Sequence, residues 1–316
     1  MKPKIFIDGE AGTTGLQIRQ RLETRGDIAL VSIDPAKRKD AAARAAMLNG
    51  SDIVVLCLPD DAAKEAVALI TNPAAKVIDA STAHRVADGW TFGFPEMTAS
   101  QKDAIAASTR VSNPGCWSTG AIALLRPLVS SGVLNADYPV TIGGVSGYSG
   151  GGKAMIAEFE NTSDPTFTNV PYRIYGLDLK HKHLPEIQKF GGLGITPVMS
   201  PSVGRYAQGM IVEVPLHLDL LSHNLKPADI HAVLAKAYQG AHFVEVISRE
   251  QSNAIKTLPP EELNGTNKMR LFVFGHDGAR QVRLVAQLDN LGKGASGQAL
   301  QNMNIMLGFA ETTGLQ

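Results

Sequence analysis

Cys116 stands in the stretch Ser112-Asn113-Pro114-Gly115-Cys116-Trp117-Ser118-Thr119-Gly120, where Pro-Gly makes a sharp turn and a helix is expected from near Ser118. A cysteine at a helix N-terminus meets backbone N–H groups and a positive dipole end, which lower a thiol pKa and can hold an oxyanion. A thiolate at neutral pH is a capable acyl acceptor. The competing reading is an ordinary half-buried cysteine in a turn. Cys57, inside the apolar run Ile53–Leu58, illustrates that reading and is expected to be inert. A thiol nucleophile usually needs a base, and His181-Lys182-His183-Leu184-Pro185-Glu186 supplies two histidines, with Pro185-Glu186 opening a helix. Standing two apart, one imidazole can face the thiol while the other faces substrate. No Cys or His partners at metal spacing accompany them, so no metal is expected. His217, His223, His231, His242 and His276 stand in strand, helix or surface contexts and are read as structural.

Other segments suit anions. Gly9-x-x-Gly12-x-x-Gly15, with Thr13 and Thr14 inside it, follows a first strand and precedes a helix, as a pyrophosphate-binding turn should. Asp34 lies near the end of the second strand, at the spacing of a ribose-binding carboxylate, which favours NAD. Lys37 and Arg38 follow, and cations there suit the 2′-phosphate of NADP, so the residues alone leave both open. Asp79-Ala80-Ser81-Thr82-Ala83-His84-Arg85 comes at the carboxyl end of a strand, where doubly wound sheets bind ligands. There Arg85 either grips a phosphate or carboxylate or pairs with a surface acid. Ser146-Gly147-Tyr148-Ser149-Gly150-Gly151-Gly152-Lys153 is a glycine run whose backbone can approach a cofactor or acyl group, or else a flexible hairpin. It is not a Walker loop, because Ala154 follows Lys153. Leu291–Gln298 is a third glycine loop.

These residues need elements to hold them. Lys4–Asp8, the glycine turn, a helix with Leu16, Ile18 and Leu22 on its apolar face, and a strand over Ile28–Ile33 form a βαβ unit. Strands at Ile53–Leu58 and Lys76–Ala80, joined by an alanine-rich helix over Asp61–Ile70, extend it. Residues 1 to about 112 read as a doubly wound, Rossmann-type parallel-sheet domain. Beyond Pro114 the pattern predicts a helix over Thr119–Ser131 and a strand over Pro139–Val145, then a long irregular stretch to Pro185. Strands follow at Met210–Leu218, Phe243–Ile247 and Gln281–Leu288, as in an α+β catalytic domain with a mainly antiparallel sheet. The final segment, Gly297–Glu311, predicts an amphipathic helix.

Composition narrows the classes. The 316 residues suggest about two domains. Thirty Lys+Arg against thirty Asp+Glu give zero formal charge, which argues against nucleic acid or an acidic membrane as partner. No apolar run approaches the roughly 20 residues of a membrane helix, and Met1-Lys2-Pro3-Lys4 shows no signal-peptide pattern. Two cysteines build no disulfide framework. The expectation is a soluble, cytoplasmic α/β protein.

GEAGTTG at the start, SNPGCWSTGA around Cys116, SGYSGGGK, HKHLPEI and the closing LGKGASGQALQNMN, in this order along essentially the whole chain, together resemble the N-acetyl-γ-glutamyl-phosphate reductases, in their shorter form. The related aspartate-semialdehyde dehydrogenases share a cysteine–histidine pair but differ around it. The resemblance implies NADPH-dependent reduction of N-acetylglutamyl 5-phosphate to the semialdehyde, with phosphate release, in arginine biosynthesis. It implies Cys116 as nucleophile forming a thioacyl enzyme, His183 as acid/base and His181 in contact with substrate, and it tips the cofactor to NADP with Asp34 discordant. It further implies a homo-oligomer, dimer or tetramer, with a cofactor domain of residues 1–114 and 291–316 and a catalytic and subunit-contact domain of 115–290. The expected site therefore comprises Cys116 and His183; His181, Arg85 and Asn113 at substrate; and Gly9, Gly12, Thr13, Thr14, Gly15, Asp34, Arg38, Ser81, Ser146, Gly147 and Gly150 at cofactor. Two alternatives stand beside it: reduction of another acyl phosphate, of aspartate or aminoadipate type, and a nucleotide-sensing protein without catalysis.

Overall fold

The computed structural model describes every residue except 222, 223 and 279, so His223 lies outside the described residues. The chain divides into two compact units: Met1–Pro95, Ala99–Pro114 and Ala295–Gln316 in the first, Glu96–Thr98 and Gly115–Gly294 in the second. Among the described residues no helix is long and apolar enough to cross a membrane.

The first unit holds β1 (Lys4–Asp8), α1 (Thr13–Glu23), β2 (Ala29–Val31), α2 (Ala41–Asn49), β3 (Ile53–Leu56), α3 (Asp60–Ala68), β4 (Lys76–Asp79), β5 (Thr91–Phe92), α4 (Gln101–Ala107) and β6 (Arg110–Ser112), joined by the last helix of the chain, α10 (Gly297–Leu307). Its six strands run parallel in the order β2-β1-β3-β4-β6-β5. Strands covered on both faces read as continuous apolar runs, and alternate residues divide between the two layers. Ile5, Ile7, Ile53, Val55 and Ile78 pack with Ile18 and Leu22 of α1, Ile105 of α4 and Leu300 and Met303 of α10. Phe6, Val54, Leu56 and Val77 face the other way, onto Leu48 of α2 and Ala63 and Ala66 of α3. The strand order reverses at β1, so the turn after β1 lies at the topological switch point, where such sheets take ligands.

α10 departs from the expected amphipathic helix. Gln298, Gln301, Asn302 and Asn304 are as buried as its apolar residues. Their amide nitrogens find partners within the chain: Gln298 and Asn302 both donate to the Gly93 carbonyl, at 2.6 and 2.9 Å, Gln301 to Glu311 Oε2, and Asn304 to the carbonyls of Glu311 and Thr313, while the amide oxygens of Gln298 and Asn302 are buried without one. A polar face that hydrogen-bonds to the chain needs no solvent.

The second unit is built from α5 (Cys116–Ser130), β7 (Thr141–Gly147), α6 (Gly152–Glu160), β8 (Tyr172–Ile174), α7 (Leu184–Gly191), β9 (Val198–Gly204), β10 (Met210–His217), α8 (Pro227–Ala237), β11 (Val244–Val246), α9 (Arg249–Ala254), β12 (Met269–Phe274) and β13 (Gln281–Leu288). Its seven strands lie in the order β11-β12-β13-β10-β7-β9-β8. Most pairings are antiparallel, but β7–β9 and β11–β12 are parallel, so the sheet is mixed. The stretch expected to be irregular carries α6 and β8, and β9 and β12 go beyond the expected strands. Ser200-Pro201-Ser202 removes the apolar run by which β9 would be recognised.

α5 lies against β10 and β13 at Gly120, where a Cβ would stand 2.8 Å from Val212 Cγ2 and 3.4 Å from Ala286. The helix that begins with Cys116 is thereby seated on the sheet. Gly120→Val should lift it and cost about 1–3 kcal/mol, read as a lower urea midpoint at unchanged slope.

Candidate active site

Cys116 is the first residue of α5, slightly earlier than the expected helix start near Ser118, and it is partly buried. Gly115 precedes it in extended backbone, no side chain caps the helix, and no acid occupies its first turn. The helix itself thus places no acid against the positive end of its dipole, a setting that favours a thiolate, although the Glu186 carboxylate reaches the Gly115 N–H from α7. The turn is held from two sides. The Gly115 carbonyl accepts from Ser118 Oγ at 2.7 Å and Thr119 Oγ1 at 2.9 Å, while its N–H donates to Glu186 Oε2 at 3.4 Å. A Cβ on Gly294 would stand 2.6 Å from Cys116 Cβ, so only a hydrogen fits between them.

His181 and His183 lie at the start of α7. The His183 N–H donates to His181 Nδ1 at 3.2 Å, so a neutral His181 carries its proton on Nε2. The two rings meet edge to face at 4.7 Å, and His183 is buried. Tyr175, 5.7 Å ring to ring from His181, was not among the expected site residues. Burial, and then the neighbouring Cys116, push its phenol above its ordinary value, against a hydrogen bond with Trp117 that lowers it. It therefore remains a proton donor at neutral pH. The structure brings together Cys116, Tyr175, His181, His183 and the carboxylate of Glu186. Pro185-Glu186 was legible as a helix start, but nothing in its spacing told that the carboxylate turns back to Gly115.

In the same unit, Ser146 and Gly147 close β7. Gly147 N donates to Gly209 O at 2.9 Å, Tyr148 N to Tyr206 O and Ser149 N to Ala207 O. Asn290 donates to Ser149 Oγ and accepts from Gly209 N. The segment is a pinned ledge rather than a flexible hairpin, and Gly150 is exposed at its tip.

The first unit carries the remaining expected residues. Gly9 has φ +90°, and a Cβ there would stand 2.3 Å from the Cys57 carbonyl; one on Gly15 would stand 2.5 Å from Gly9 O. These two glycines let the turn fold tightly beneath α1. Gly12 precedes α1, Thr13 and Thr14 open it, and no side chain caps it or places an acid in its first turn. That uncapped start above a tight turn fits a dinucleotide pyrophosphate. Asp34 is exposed and turns its Oδ1 to Ala36 N at 2.9 Å, capping the short turn that carries Lys37, while Arg38 stands in solvent just beyond. Ser81 donates from both N and Oγ to the buried Asp79, which His84 Nδ1 also meets at 2.6 Å. Arg85 is buried, with Nε on Asn113 O at 3.1 Å and Nη2 on Ala80 O at 3.4 Å. Asn113 is buried too: its amide donates to Ala295 O and accepts from Asn302 Nδ2. Among the described residues no cluster of His, Cys, Asp and Glu is placed to hold a metal ion.

Cys57 lies just past β3 rather than inside it, and burial, then Asp79 and Asp8, push its thiol from 9.0 up to about 12. Iodoacetamide at neutral pH should label Cys116 rapidly in the native protein and leave Cys57 untouched until denaturation. A raised thiol pKa favours the protonated native state, so its stabilising contribution is complete below pH 9.0 and disappears as pH rises towards about 12. Cys57→Ala should lessen the fall in urea midpoint across that window.

Comparison with known proteins accords with this geometry. Residues 116–290 match the semialdehyde dehydrogenase dimerisation domain, and residues 34–105 the semialdehyde dehydrogenase NAD binding domain. N-acetyl-gamma-glutamyl-phosphate reductase of Rhizobium johnstonii is 55% identical over 308 residues, covering 97% of this chain and 99% of the relative. That of Brucella ovis is 54% identical over 309 residues, covering 98% and 100%. Among solved structures, aspartate semialdehyde dehydrogenase II of Vibrio cholerae, complexed with ASA, shares the fold at a TM-score of 0.72 and 14% identity, over 97% of this chain and 98% of that one. With more than half of its residues identical to these reductases over nearly its full length, the chain belongs to the N-acetyl-gamma-glutamyl-phosphate reductase family.

Proposed function

We propose that this protein reduces N-acetyl-L-glutamyl 5-phosphate to N-acetyl-L-glutamate 5-semialdehyde with NADPH, releasing phosphate, through a thioacyl intermediate on Cys116. The observation that carries the reading is Cys116 as the first residue of an uncapped helix, with a phenol and two imidazoles gathered in the same unit.

The thiolate attacks the acyl carbon, a C–S bond forms, and the C–O bond to phosphate breaks, so the leaving group departs with its electron pair. The helix start that holds the thiolate also offers N–H groups to the acyl oxygen as it gains charge. NADPH, when bound, supplies the hydride that the acyl carbon accepts. Collapse of the resulting tetrahedral carbon restores the carbonyl and returns the electron pair to sulfur. In this scheme His183 takes the thiol proton and manages protons at the acyl oxygen, His181 contacts substrate through its Nε2–H, and the Tyr175 hydroxyl is a further donor. Arg85 and Asn113 are taken as further substrate-binding residues.

The cofactor reading assigns the pyrophosphate to Gly9, Gly12, Thr13, Thr14 and Gly15, and takes Ser81, Ser146, Gly147 and Gly150 as further cofactor-binding residues. NADP is favoured because Asp34, the residue that spoke for NAD, gives its carboxylate to its own turn, while Arg38 and Lys37 remain for a 2′-phosphate. The cofactor domain is then 1–114 with the C-terminal segment 291–316, although residues 96–98 and 291–294 group with the second compact unit. Residues 115–290 form the catalytic and subunit-contact domain of a cytoplasmic homo-oligomer, dimer or tetramer.

The reaction is tested in reverse, with N-acetylglutamate semialdehyde, phosphate and NADP, following absorbance at the NADPH band. Phosphate-dependent signal with this aldehyde and none with aspartate semialdehyde is the expected result; the opposite pattern assigns another acyl phosphate. Silence with both, and NADPH still bound, supports the sensor. Cys116→Ser should abolish turnover, because it removes the covalent route. His183→Asn should lower kcat by about 10²–10⁴-fold. A larger loss in His181→Asn would exchange the two roles.

A further inference from the structure

The ion pair between Lys293 and Glu96 has no place in the chemistry above, yet it is among the most deeply buried charged features of the second unit. Lys293 is 0% exposed, and its Nζ meets both carboxylate oxygens of Glu96, at 2.8 and 2.9 Å. The same ammonium stands 5.5 Å from the centre of the buried Phe243 ring. Removing two charges from water is costly, and a pair of this kind adds little net stability over apolar side chains of the same size. Its position tells more. Lys293 lies in a π-helical turn, Gly292–Ser296, a geometry rare in proteins and frequent at functional sites. The next residue is Gly294, whose missing Cβ would stand 2.6 Å from Cys116 Cβ and 3.2 Å from Cys116 Cα. Glu96 comes from Glu96–Thr98, a short segment that groups with the second unit although the chain on both sides belongs to the first.

We propose that the Lys293–Glu96 ion pair is a positioning device for the nucleophile, fixing the peptide at 293–294 so that the Gly294 backbone forms the wall against which Cys116 is set. The rest of the segment is pinned in the same manner. Gly294 N donates to Asp289 O at 2.9 Å, and the buried Asp289 carboxylate accepts from Gly265 N and Leu291 N, both at 2.8 Å, and from Gln208. Asn290 ties the same stretch to Ser149 of the glycine ledge. Asp289 and Asn290 fix where the segment begins, and the ion pair fixes its far end beside Cys116. Lys293 and Glu96 cancel in charge, so they act on the sulfur through place rather than through its pKa.

The inference rests on Cys116 being the nucleophile of the proposed reaction, and its test separates the two. Lys293→Met alone strands a buried carboxylate and is expected to fold poorly, so the informative variant is the double replacement Lys293→Met/Glu96→Leu, which leaves no buried charge. Gly294→Ala moves the wall without touching the pair. Thermal unfolding, kcat and KM, and the pH profile of Cys116 labelling by iodoacetamide are measured on both and on the wild type. The double variant should unfold near the wild-type temperature, with kcat lower by about 10²-fold, the effect of misplacing a reacting group by roughly 1 Å, and KM little changed. Gly294→Ala should reproduce that split. The labelling midpoint should stay in place in both, while the rate at high pH, where the thiol is fully ionised, changes severalfold. A folded double variant with wild-type kcat and wild-type high-pH labelling overturns the proposal. So does a shifted midpoint, which would make the pair an electrostatic element. A wild-type protein without turnover removes the proposed function instead, and the high-pH labelling comparison still decides whether the pair governs Cys116.

Discussion

Cys116 Cβ and the Gly294 backbone approach so closely that only a hydrogen separates them, and much of the second unit is arranged around that contact. Gly120 seats the helix on the sheet, while Glu186 and the hydroxyls of Ser118 and Thr119 fix the Gly115 peptide just ahead of the sulfur. Each hydrogen bond of this kind is worth only about 1 kcal/mol net. Their collective effect is geometric: the thiol is presented at the positive end of a fifteen-residue helix whose start can neither fray nor turn away.

The first unit applies a related device to a different purpose. Gly9 and Gly15 allow backbone to pass where a side chain would collide, and the loop they close exposes the start of α1 at the switch point of a parallel sheet. Around it, carboxylates at the ends of β1 and β4 are each given an internal partner. Asp8 pairs with Arg44 Nη2 at 2.8 Å, and Asp79 holds Ser81 and His84. Carboxylates that are paired in this way repel an incoming phosphate less than solvated ones would. The helix start is therefore left as the local determinant for an anion.

What was legible in the sequence follows from these physics. Strands buried on both faces announce themselves as apolar runs, and clustered glycines between a strand and a helix mark a tight turn, so the doubly wound unit and the turn after its first strand were readable. Cys116 was readable because Pro-Gly forces a turn before a helical pattern. Contacts across long stretches of sequence were not. Glu186 reaches Gly115 only after α7 packs along α5, and Gly294 meets Cys116 from the far end of the chain. Tyr175 sits in a stretch with no periodicity, so nothing marked its ring as a neighbour of His181. Amphipathicity misled at α10, because the pattern cannot distinguish a solvated polar face from one hydrogen-bonded to Gly93. Arg85 was read as a ligand group from its place after a strand and Asn113 from the family resemblance; their polar atoms also tie β6 to neighbouring backbone.

The account depends on a covalent bond to one sulfur, and intact-mass analysis tests it most directly. The protein is mixed with N-acetylglutamyl phosphate in the absence of NADPH, quenched in acid, and weighed before and after peptide mapping. The prediction is one N-acetylglutamyl group per chain, in thioester linkage on the peptide containing Cys116, and removed by hydroxylamine. A protein that releases phosphate and, once NADPH is added, forms the aldehyde without ever carrying the acyl group on Cys116 would contradict the account.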